Sequence, residues 1–118
     1  METISEKIHF AGDFYMEQEQ MMYIHNGYLH LCGMVKPAYN MGTSQFTVTD
    51  NIGQFLSDNG YELLETDNVF GVGYMGSIVC QAYVSIKSKE LVICPSATVA
   101  QYAGIIFNIN TPVKKIVK

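Results

Sequence analysis

A chain of 118 residues, 48% apolar and only 15% charged, can bury roughly two-thirds of its unfolded surface around one core and needs no disulfide staples. Its net charge of −4 and lack of any arginine argue against a nucleic-acid partner, because that affinity rests on clustered cations releasing counterions. No apolar run approaches the roughly 18 residues of a membrane span, and the opening Met-Glu-Thr-Ile-Ser-Glu-Lys lacks the order of a secretory signal, so the expectation is a soluble protein made in a reducing cytoplasm, without membrane insertion.

In chain order, residues 1–20 read as an N-terminal segment, either edge strands or a neck-like connection, and residues 21–118 as a head domain. Within the segment Gly12-Asp13 is a turn signal, so Ile8-His9-Phe10 and Phe14-Tyr15-Met16 form a small hairpin or two edge pieces. A strand over residues 21–24 turns through His25-Asn26-Gly27, where Asn-Gly supplies the positive φ angles of a two-residue hairpin. Residues 27–35 form the next strand, with Leu29, Leu31 and Val35 at the two-residue period of a strand facing a core. Lys36-Pro37 opens a loop to Gly42, since proline cannot donate to a ladder.

Residues 43–48 resume β character. Residues 50–57 read as a single helical turn capped by Asp50, followed by a turn at Asp58-Asn59-Gly60 and a short strand over 61–64. Residues 69–74 alternate glycines at Gly71 and Gly73, as in a strand with close backbone approach or a bulge. Residues 77–93 read as a hairpin about Lys87-Ser88-Lys89-Glu90: Ile78, Cys80, Ala82, Val84 and Ile86 face the core, while Val79, Tyr83 and Met75 face out. Cys94-Pro95-Ser96 breaks the chain, and a final strand over 104–109 puts Ile105, Phe107 and Ile109 on one face. About nine short strands and one helical turn indicate an all-β fold, an antiparallel, jelly-roll-like β-sandwich. Cys32, Cys80 and Cys94, odd in number and in apolar strand contexts, read as free, buried thiols.

The order of these elements resembles the C-terminal head domain of bacteriophage tail-fibre and baseplate receptor-binding proteins. It is carried by Leu29-x-Leu31-x-Gly33, a loop and a strand at Phe46 and Val48, Val84-Ser85-Ile86, a turn, Leu91-Val92-Ile93 and a closing strand over 104–109, about three-quarters of the chain. Two elements depart from the pattern: Thr49-Asp50-Asn51-Ile52-Gly53 stands where a proline-containing corner is expected, and no glycine precedes Leu91. The resemblance implies a homotrimeric β-sandwich of the virion, in contact with other virion proteins and binding host-surface saccharide. A capsid or tail decoration module without glycan binding is the alternative.

No residue set reads as catalytic. His30 and Cys32, with His25 or His9, have part of a zinc-ligand spacing but nothing completes it. Gly71-x-Gly73-x-x-Gly76 opens no helix and so does not read as a phosphate loop. Cys80 shares its face with aliphatics, which suppresses thiol reactivity. A polysaccharide-cleaving enzyme would need two carboxylates set across a groove, and no hydrolytic motif points to one; no cofactor is called for. Eight tyrosines without tryptophan suit sugar binding better, because tyrosine offers a flat apolar face and a hydroxyl. The candidate ligand-binding set is Tyr39, Tyr61, Tyr74 and Tyr102 beside turns or loops, with Asn40, Asp58, Asn59, Asp67 and Asn68, and Gln101 nearby, to fix orientation.

Overall fold

The computed structural model describes residues 4–15, 18–64, 71–75 and 78–116, the backbone alone in 71–75. Ten strands and one helix follow in the order β1 (Ile4–Lys7), β2 (Phe14–Tyr15), β3 (Met21–His25), β4 (Tyr28–Pro37), β5 (Phe46–Thr47), α1 (Ile52–Asp58), β6 (Tyr61–Leu63), β7 (Gly71–Met75), β8 (Ile78–Val84), β9 (Leu91–Pro95) and β10 (Ile105–Lys115). All are antiparallel, hydrogen-bonded in the order β1-β3-β4-β10-β7-β8-β9-β5, with β2 beside β4 and β6 beside β10. The fold is all-β and sandwich-like.

The two ends of this path meet. Beyond β1, Ala11 N–H donates to Val48 C=O at 3.0 Å and Asp50 N–H to His9 C=O at 3.1 Å, and Phe10 bridges Thr49. The segment therefore closes the sheet onto itself, which satisfies backbone groups that an open edge would leave unpaired. Inside lies one core: Ile8, Phe10 and Phe14 pack with Leu29, Leu31, Val35, Ile93, Ile105, Phe107 and Ile109.

Local chemistry explains most elements. Asn26 and Gly27 have φ of 50° and 79° and His25 pairs with Tyr28, so the Asn-Gly hairpin forms as its sequence demands. The alternation of Cys80, Ala82 and Val84 inward also holds, and Val79 is 58% exposed.

Several expectations are settled or corrected. Ile8–Phe10 and Phe14–Tyr15 are two separate pieces and not a hairpin: Phe10 bridges Thr49, Phe14 pairs with Pro37 and Tyr15 with Lys36. β4 thus runs through Pro37 instead of ending before it, because a proline on an edge needs to offer only its carbonyl, here to Tyr102 N–H at 2.8 Å. β10 extends past Ile109 to Lys115 because β4 stays paired with it through Pro112 and a third partner, β6, takes up residues 113–115. Tyr83 is not an outward residue of a free surface but only 9% exposed, with Gln45 Nε2 donating to its hydroxyl at 3.3 Å. Cys32 is exposed, not buried; it alternates outward with Leu31, which is buried. All three cysteines are free thiols, Cys80 buried and Cys94 half-buried.

The helix is not capped by Asp50. Glu90, delivered by the β8–β9 turn, accepts from Ile52 N–H (2.9 Å), Gly53 N–H (3.1 Å) and Thr49 Oγ1 (2.9 Å). That carboxylate satisfies amide donors a helix start leaves orphaned. Gln20 makes a similar substitution along β4. Where β3 has diverged, its side-chain amide donates to Met34 C=O at 2.6 Å and its oxygen accepts from Met34 N–H at 2.5 Å, lying over Gly33, where any Cβ would collide with it.

Candidate functional site

One end of the molecule carries a ring-lined cleft. Phe14 N–H donates to Ala11 C=O at 2.9 Å, closing a turn in which Gly12 has φ of 38° and Asp13 is exposed. The Asp13 carbonyl accepts from Ala38 N–H at 2.7 Å, which docks this turn on the loop after β4. Phe14, Tyr39 and Phe46 then form a triangle of rings with centroids 6.0 to 6.5 Å apart. Against them opens a cleft of about 300 Å³ bounded by Asp13, Phe14, Tyr39, Gln45, Phe46 and Thr47. A smaller hollow of about 200 Å³ lies beside it, between His9, Phe10, Phe14 and Tyr15. Phe14 is the wall they share.

Around this end the loops clamp each other. Gln101 N–H donates to Asn40 Oδ1 at 2.7 Å and its Nε2 to Ala38 C=O at 2.8 Å. The clamp holds Tyr102 in a left-handed conformation, φ 65°, 56% exposed and edge-on to Tyr15 at 6.1 Å. Burial pushes the Tyr39 phenol up, and the Asp13 charge adds to it, so the hydroxyl is kept protonated and able to donate. His9 Nδ1 lies 2.5 Å from Asp50 Oδ1 at the seam of the closed sheet.

Of the sequence-predicted residues, Tyr39, Asn40 and Tyr102 come together here. Asp58, Asn59 and Tyr61 do not. Tyr61 faces Lys115, whereas Ile105 faces Val35 just short of the cleft, so the two groups stand at opposite ends of β10, roughly 30 Å apart at the usual strand rise. There the polar groups are engaged: Asp58 accepts from Gln54 Nε2 at 2.6 Å, and Asn59 Nδ2 donates to Phe55 C=O at 2.8 Å. Asp67 and Asn68 lie outside the described residues. Tyr74 is in β7 opposite Ile106, and its side chain, like that of Met75, lies outside the description.

Asp13, Phe14, Tyr15, Gln45 and Phe46 were not foreseen as site residues. Phe14 and Tyr15 read as part of a hairpin or an edge piece, Phe46 as a strand residue, and Asp13 as an ordinary turn residue. Only the long-range pairing of Phe14 with Pro37 brings them against Tyr39. The Gly-Asp turn directly before two aromatics was the one local hint.

A second aromatic group lies on the outer face of β3, β4 and β10. Tyr23 stacks on His30 with centroids 4.6 Å apart, and Tyr28 lies 6.3 Å from it, while His30 Nδ1 is hydrogen-bonded to Asn110 Oδ1. His30 and Cys32 thus do not gather a metal set: among the described residues no group of three or more His, Cys, Asp or Glu is disposed to hold an ion. Among the described residues no helix is long and apolar enough to cross a membrane. Comparison with protein-family models, curated proteins and solved structures gives no match.

Proposed function

We propose that this chain is a receptor-binding module of a bacteriophage tail or baseplate that attaches to saccharide on the host surface, using the cleft of Phe14, Tyr39 and Phe46. The observation that carries the reading is this ring triangle, with half-buried Tyr39 and Phe46 packed on the buried Phe14 and a cleft against them edged by unlike polar groups. Aromatic faces stack on the C–H face of a pyranose, and Asp13, Gln45, Thr47 and the Tyr39 hydroxyl supply the few directed hydrogen bonds that fix a sugar's orientation. The volume, about 300 Å³, sits at the low end of ligand sites and suits one or two rings held weakly. Strength then comes from several copies acting together, which raises the effective concentration at each site. The protein works in this reading as a homotrimer of the virion, made in the host cytoplasm, in contact with other virion proteins and performing no bond-breaking chemistry.

The test is a glycan array with the purified protein and its Tyr39→Ala variant. Binding to a set of surface glycans that the variant loses supports the reading; a blank array with folded protein overturns it.

A second reading, a virion decoration module without glycan binding, is favoured by the outer face. Val79 (58% exposed), Ile106 (45%), Tyr28 (45%) and Tyr23 (39%) stand on the hydrogen-bonded strands β8, β10, β4 and β3, and apolar side chains on exposed strands suit a protein partner. Binding to intact host cells but not to virions deprived of this chain supports attachment; the reverse supports decoration.

A further inference from the structure

The cleft has an electrostatic sign. Asp13 projects from the exposed turn at its mouth, and the other polar groups that bound it, Gln45, Thr47 and the Tyr39 hydroxyl, are neutral. Among the described residues that line it there is no lysine. The cation nearest in register, Lys36, sits opposite Tyr15 in the β2–β4 ladder, one position away from the Phe14–Pro37 pair and so directed to the other face. The whole chain carries net charge −4. Among the described lining residues an incoming ligand therefore meets a single charge, the Asp13 carboxylate, at the place where it must dock.

We propose that Asp13 is the specificity-determining residue of this cleft, which prefers amino-bearing over neutral pyranoses and disfavours uronic, sialic and phosphorylated ones. This rests on the saccharide reading above and narrows it. Two unit charges about 4 Å apart in a water-like medium interact strongly enough to change an affinity by about fivefold. An ammonium group docked beside Asp13 gains that factor and a carboxylate loses it. Because Asp13 is exposed, the effect is screened, with the Debye length falling from about 10 Å at 0.1 M salt to about 3 Å at 1 M. Tyr39 already feels the same field: burial is the larger reason its phenol is pushed up, and the Asp13 charge is the second.

The experiment titrates the full-length protein by NMR with three probes that share one ring and differ in charge: glucosamine, methyl glucoside and glucuronic acid, repeated with the galacto series. At about pH 6 the sugar amine is protonated, since amino groups of this kind titrate near or above pH 7. The expected order is amine over neutral over acid, about fivefold per step at low salt, collapsing in molar salt and in Asp13→Asn. Equal or tighter binding of the acid overturns the inference and leaves the saccharide reading standing. An order unchanged by Asp13→Asn, or indifferent to salt in the native protein, also overturns it. Failure of every probe to bind folded protein removes both.

Discussion

The two ends of β10 carry the same kinds of residue and differ in what those residues have left to offer. At the helix end, Asn59 closes the last turn of α1 and Asp58 accepts from Gln54, so both side chains turn back onto their own helix. At the loop end the clamping is done by Asn40 and Gln101, which leaves the Asp13 carboxylate exposed beside the ring triangle and the Tyr102 ring exposed against Tyr15. Tyrosine, asparagine and aspartate beside a turn are thus not a site by themselves. A concave apolar wall with unspent polar groups at its rim is what distinguishes one end from the other.

The sharpest way to break the loop end is Phe14→Ala. Phe14 is 7% exposed and shared by cleft and core, and removing such a ring costs about 3–5 kcal/mol; urea unfolding should show the loss, together with loss of any saccharide binding. At the helix end Glu90→Ala removes the acceptor of two helix amides and one hydroxyl. Hydrogen bonds to a charged group contribute about 1.5–3 kcal/mol, so a drop of that order in unfolding free energy is expected, with Glu90→Gln intermediate and saccharide binding retained.

Smaller effects sharpen the contrast. Tyr39→Ala should cut saccharide affinity on the order of tenfold, since loss of one stacked ring and its hydroxyl amounts to about 1–1.5 kcal/mol, whereas Tyr61→Ala should leave affinity unchanged and show only in stability. Isothermal titration of both variants decides this. Equal losses would erase the distinction between the ends.

The smallest expected effect is alkaline. Burial pushes the Cys80 thiol up, with the neighbouring Cys94 adding to it; burial also raises Cys94, partly offset by a hydrogen bond with Tyr83. Both folded values therefore lie above the unfolded one, so the unfolded chain ionises first. Their contribution to stability is full below the ordinary thiol value of about 8.5 and is lost as pH rises through the folded values. Denaturation series from neutral pH upward should decline in that window, less steeply in Cys80→Ala. Thiol labelling should follow exposure, Cys32 first and Cys80 only on unfolding.

Much of the fold was legible because short-range chemistry and alternation agree. Asn26-Gly27 dictates a hairpin, and Leu29, Leu31, Ile105, Phe107 and Ile109 alternate with exposed neighbours. What escaped depends on partners distant in the chain. β10 reaches Lys115 because of β6, the helix starts on a glutamate some forty residues away, and Gln20 completes β4 over Gly33. Tyr83 alternates outward yet is buried, which its own strand cannot reveal. The site was half legible for the same reason: Tyr39, Asn40 and Tyr102 stand beside turns, but Phe14 and Phe46 become its walls only once β2 meets β4 and β5 meets β9.

The most direct measurement is a residue-resolved NMR titration of the native chain with the tightest-binding glycan of the array. The account predicts amide shifts confined to residues 11–15, 38–40, 45–47 and 101–103. Shifts centred on residues 58–63 or on the outer face of Tyr23, Tyr28 and His30, or none at all, would contradict it.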